Sequence, residues 1–125
     1  MATINLLLVV AIFLPACGAQ PAPRSVDGNR IEAVVQSARV DAALRSGLPV
    51  RQIAVLTAQS VTWADGSLGC PRAGVLSTQA LVPGYRVTLR VGATLWDYHA
   101  GDRGGLVLCP AGQAQEQEPA PGGLD

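Results

Sequence analysis

The placing of the three cysteines constrains this chain more than any other feature: one closes an apolar N-terminal run, and two lie far apart in the remainder. Cys17 ends the segment Leu14-Pro15-Ala16-Cys17, and Cys70 and Cys109 are left as an even pair. In an oxidising compartment such a pair reads as one intramolecular disulfide, whereas in a reducing one it reads as two buried thiols. Closing a loop of about 40 residues removes unfolded-state entropy worth roughly 4 kcal/mol, comparable with the whole stability of a small domain.

The run before Cys17 is too short to span a bilayer, since Met1 to Ala16 as one helix would reach about 24 Å against a hydrocarbon core of about 30 Å. It reads as the apolar region of an export signal, 1–16, with Cys17 as the lipid-accepting residue of a bacterial lipoprotein. Residues 1–5 hold no Lys or Arg, and Pro15 is uncommon at its place. The alternative is ordinary cleavage near Ala19, which would remove Cys17 and release a soluble product. The first reading places the protein at the membrane of the cell envelope, on its periplasmic or extracellular face.

Nine Arg balance nine acidic residues, and Lys is absent. A neutral domain of this kind has no electrostatic footprint for nucleic acid. The aromatics beyond the leader are Trp63, Trp96, Tyr85 and Tyr98. A core this poor in large side chains gives a further reason for a covalent staple.

Residues 17–28 read as a Pro/Ala-rich tether. From Asn29, Ile31, Val34, Val35, Ala38, Ala42 and Leu44 recur at helical spacing opposite Glu32, Gln36, Arg39 and Arg45, which predicts an amphipathic helix over 30–46. Asp27 or Asn29 would cap it, and Gly47 followed by Pro49 would stop it. A first strand is expected from Ile53 to Thr62. In 85–91, Tyr85, Val87, Leu89 and Val91 alternate with Arg86, Thr88 and Arg90, the period of a strand with one apolar and one polar face. Gly92-Ala93 predicts a tight hairpin to a strand over 94–99, and a turn at 102–105 leads to a last strand over 106–109. The tail 111–125 is polar and reads as disordered. The expected fold is thus α+β over 29–110: an N-terminal amphipathic helix packed on a small antiparallel sheet of three or four strands, with one disulfide.

Between the first two strands runs Trp63-Ala64-Asp65-Gly66-Ser67-Leu68-Gly69-Cys70-Pro71, followed by Gln79, Leu81, Val82, Gly84, Tyr85, the pair Tyr98-His99 and Cys109. This series resembles a group of small exported bacterial proteins that carry Trp-x-Asp-Gly-Ser-Leu-Gly-Cys-Pro. The likeness covers residues 44–109. It departs at Ala64, where the group has proline, and at 72–76, where the group has a Pro-Gly-Met-like turn. The resemblance implies the fold and export, and no activity.

Three constellations in the chain could carry chemistry. Ser67 or Ser77 with His99 and Asp65, Asp97 or Asp102 could form a hydrolytic triad. A nucleophile elbow, however, needs glycine two places before the serine, and Asp65 stands there; Asp65 and Ser67 read more simply as turn residues. His99 with Cys70, Cys109 and an aspartate could hold zinc, but structural zinc sites bring their ligands in close pairs, so a disulfide and a strand-edge histidine are expected instead. Trp63, Trp96 and Tyr98 could form an exposed aromatic platform, although Trp96 and Tyr98 share a strand face and read as core. Trp63, Asp65, Arg86 and Arg90 are the candidate interaction residues. No metal or cofactor is expected, and the partners expected are the membrane, through the lipid, and an envelope protein or the cell wall. The function expected is that of a noncatalytic envelope lipoprotein. A small hydrolase using Ser67 and His99, or an inhibitor of proteases acting through the loop 68–76, are the alternatives.

Overall fold

The computed structural model describes residue 18 and residues 26–115; Cys17, residues 1–16 and the end of the tail lie outside them. Helix α1 (Val26–Ser46) is followed by a 3-10 turn (Val50–Gln52) and four strands, β1 (Ala54–Trp63), β2 (Val82–Val91), β3 (Thr94–Gly101) and β4 (Gly104–Cys109). The strands form one antiparallel sheet in sequence order. One helix on a four-stranded sheet with a Cys70–Cys109 disulfide is the expected α+β fold.

The helix begins before the expected position, so Asp27 and Asn29 lie within it instead of capping it. It ends at Gly47, whose N–H donates to Ala43 O at 2.9 Å. Val35, Ala38 and Ala42 are its buried face and meet Ile53, Val87, Leu89, Val91 and Tyr98 in the main core. Leu44, expected in that core, is 80 % exposed. Its neighbour Ala43 packs against the core instead, because Leu44 falls two places from Ala42 and helical rotation carries it off the buried stripe. Small residues at 38 and 42 let the helix lie close to the sheet. A polar tie crosses the same interface, where the Tyr98 hydroxyl donates to Asp41 Oδ2 at 2.8 Å, and the same oxygen accepts from Arg45 Nε at 2.6 Å. Burial and the Asp41 carboxylate both raise the Tyr98 pKa, so the phenol keeps its proton.

Strand β2 begins earlier than expected, at Val82, and β3 runs on to Gly101. The Val91↔Thr94 pairing leaves Gly92-Ala93 as the hairpin turn, as the sequence implied. The tail makes a turn first: Gln113 N donates to Pro110 O, and Gln115 N to Gly69 O at 2.9 Å. Its first five residues therefore dock on the domain and are not the structureless start expected.

The α1–sheet contact accepts no larger side chain at Ala42, which is 0 % exposed. Ala42→Leu should lower stability by about 1–3 kcal/mol, and Leu44→Ala should change it by less than about 0.5 kcal/mol, as read by urea denaturation.

Candidate functional site

The sheet's second face carries the unusual chemistry. In β2 and β3 it presents Arg86, Thr88, Asp97 and His99, cross-strand neighbours in register, and in β1 it presents Val61 and Trp63 opposite Gly84 and Val82. The loop between Trp63 and Val82 covers part of this face, so the alternation read as apolar-in and polar-out hides a second core made by Val61, Trp63 and Leu68, with Val82 and Val107 against it.

Trp63 is 0 % exposed. Its indole N–H donates to Ala100 O at 2.9 Å, and its ring stacks on the His99 imidazole with centroids 4.5 Å apart. The exposed aromatic platform is therefore not formed: Trp63 and Tyr98 are core, and Trp96 is half-buried. Gly84 makes the indole bond possible, because a Cβ at that position would stand 2.7 Å from Trp63 Nε1 and run into the Ala100 carbonyl. On the loop side, Gly69 lies against the same ring, with only 2.5 Å between its Cβ position and the indole. Leu68 takes the left-handed backbone conformation, φ 55, at a cost of about 1–3 kcal/mol for a residue with a side chain. That conformation turns the Leu68 side chain into the second core and its carbonyl onto His99.

His99, expected at a strand edge, is 0 % exposed. Its Nδ1 lies 2.6 Å from Leu68 O; a carbonyl only accepts, so Nδ1 carries the proton and donates it. The other nitrogen, Nε2, faces Asp97 Oδ2 at 3.2 Å, within ion-pairing reach but outside hydrogen-bond direction. Asp97 also receives Arg86, with Nε at 3.1 and 3.2 Å and Nη2 at 2.8 Å. Arg86 is thus half-buried and paired rather than free in solvent, while Arg90 is exposed. Burial pushes the Asp97 carboxyl up, and the nearby His99 imidazole together with the hydrogen bonds and charge of Arg86 outweigh it, leaving the group below its ordinary pKa.

The disulfide joins Cys70 to Cys109, 39 positions apart, and ties the loop to β4 on this same face. Both sulfurs are consumed, which removes the pair as zinc ligands; among the described residues no three His, Cys, Asp or Glu side chains gather as a metal group. Asp65 and Ser67 close a turn: Asp65 Oδ1 accepts from the Ser67 N–H at 2.8 Å and from its hydroxyl at 2.5 Å. These two bonds lower the Asp65 pKa. The serine hydroxyl is therefore directed to Asp65 and the imidazole to Leu68 and Asp97. The pairing of Ser67 with His99 that a hydrolase needs does not appear among the described hydrogen bonds.

Residues 35–109 match the model of a domain of unknown function, DUF8738. The chain belongs to that family. The matched span starts on the buried face of α1 and ends on Cys109, so the family unit comprises both cores and both cysteines of the staple. No curated protein and no solved structure matches the chain.

The sequence signal for the network was Asp97 and His99 at strand spacing, facing Arg86 across β2; what it lacked was the lid that buries them. Gly84→Ala should cost about 3 kcal/mol or prevent folding, through overpacking beneath Trp63, as measured by thermal unfolding. Because the Asp97 pKa is depressed in the folded state, its contribution is present above its ordinary value of 3.8 and lost as pH falls through the lower folded value. Thermal stability should therefore drop below about pH 4, and Asp97→Asn should be less stable at pH 7 while losing much of that acid limb.

Proposed function

We propose that this member of the family is a noncatalytic module of the cell envelope, exported, held at the membrane through acylated Cys17, and bound to another protein through the loop between β1 and β2. The observation that carries the reading is how the loop distributes its side chains. The loop groups able to do chemistry, and the β3 histidine beneath them, are spent on structure: Ser67 on Asp65, His99 on Leu68 and beside Asp97, Cys70 on Cys109. Apart from Leu68, which is buried in the second core, the loop's large apolar side chains face outward, with Val75 61 %, Leu76 99 % and Leu81 73 % exposed. A surface that presents aliphatic side chains on a covalently tied loop favours contact with a protein over contact with solvent. Asp65 at the base of the loop and Arg90 on the sheet are exposed or partly exposed and supply charge for a polar rim; Trp63 acts from beneath by holding the loop.

Export supports the disulfide, and the disulfide supports export, since such a staple persists in an oxidising compartment. Among the described residues no helix is long and apolar enough to cross a membrane, so the anchorage in this reading comes from acyl chains on Cys17. More than one chain is needed for stable attachment.

A photo-crosslinking residue placed at Leu76 in cells should give a discrete protein adduct in the membrane fraction. The same chain should carry an acyl mass on Cys17, and Cys17→Ser should move the protein to the soluble fraction. A cytosolic, unacylated product without an adduct would overturn the proposal.

A further inference from the structure

We infer that the loop segment Arg72–Ser77 binds an endopeptidase in the manner of a substrate, with Leu76 as the residue that enters an apolar primary pocket. This rests on the reading of the loop as a protein-contact surface and names the class of protein.

The segment has the features such a role requires. Leu76 is 99 % exposed, more than any other large apolar residue in the described chain. Neither its N–H nor its carbonyl makes a hydrogen bond among the described residues, so both are available to pair with the extended strand that a protease offers to substrate main chain. The loop stands off the domain, leaving behind it a cavity of about 380 Å³ bounded by Gly66, Ser67, Cys70 and Val107. Val75 is 61 % exposed beside Leu76, a second apolar side chain for the neighbouring subsite.

The segment is also clamped at both ends by independent means. On its N-terminal side Cys70 is bonded to Cys109 on β4. On its C-terminal side Thr78 O accepts from the Gly66 N–H at 2.8 Å, and a turn bond from Val75 N to Arg72 O shapes the segment between. A loop held in this way loses little conformational entropy on binding, which favours affinity. It also resists release after cleavage. Hydrolysis would add one water across the Leu76–Ser77 peptide bond, giving a Leu76 carboxylate and a Ser77 amine. The first end would stay tied through Cys70 and the second through Thr78, so the two ends would remain close enough to expel the same water and rejoin.

The test uses the mature chain, disulfide intact, against subtilisin and chymotrypsin, whose primary pockets are apolar, with trypsin as the comparison. Inhibition of either apolar-pocket enzyme is expected. Leu76→Gly should weaken it about 30-fold or more, as for a central anchor residue, while Leu44→Ala, on the exposed side of α1 and away from the loop, should leave it nearly unchanged. Leu76→Lys should transfer inhibition to trypsin, an outcome that a structural role for a fully exposed side chain would not produce. Any chain cut at Leu76 should stay one species without reductant and separate into two with it. Absence of inhibition, equal losses for Leu76→Gly and Leu44→Ala, or rapid cleavage at many sites would overturn the inference. Capture of a partner other than a protease at position 76 in the envelope, with no inhibition in vitro, would sink this inference alone; inhibition by a cytosolic, unacylated protein would instead sink the envelope reading.

Discussion

The buried stack of Trp63 on His99 organises the second face of this domain. A four-stranded sheet with one helix has a face left over, and here the chain closes part of it with its own loop. Trp63 supplies the apolar area, and its N–H is satisfied by the Ala100 carbonyl, which removes the cost of burying an indole donor. His99 supplies the other ring and fixes the loop by donating to Leu68 O. The strained backbone at Leu68 is tolerated because it delivers a side chain and a carbonyl to this stack at once. The Cys70–Cys109 bond then holds the lid in place over a core too small to hold it alone.

The same constraint shapes the functional reading. Polar groups that could serve catalysis are the groups that hold the lid, and a buried imidazole bonded to a carbonyl has little access to a substrate. What the lid leaves outside is a short clamped arch with Leu76 at its crest. The rigidity at the base and the exposure at the crest have one cause. Residues 65–70 are drawn down onto Trp63 and His99, and the chain must rise again before it re-enters the sheet at Val82.

The strand centres, the Gly92-Ala93 hairpin and the disulfide were legible because each has a local signature: period two, a turn dipeptide, an even cysteine count. The helix was legible in its buried face and less so at its edges. Leu44 was read as part of the helically spaced apolar series, yet it lies two places from Ala42, and that angular position points it to solvent, with Ala43 packed instead. The Tyr98–Asp41 bond links residues 57 positions apart, a separation at which no sequence pattern gives warning. Arg86 was legible on the polar face of one strand, and Asp97 with His99 on one face of the next, but their meeting was not: Arg86 read as solvated because the loop that covers this sheet face carries turn signals and no hydrophobic periodicity.

The sequence by itself determined the α+β order of elements, the single staple and the period-two alternation of β2, since these follow from nearest neighbours and from cysteine arithmetic. Only the tertiary structure decided that Trp63 and His99 are interior while Leu76 is not. Burial is a property of what packs above a residue, and the covering segment, held at Leu68, Gly69 and Cys70, reaches the sheet through contacts that span more than 30 positions along the chain.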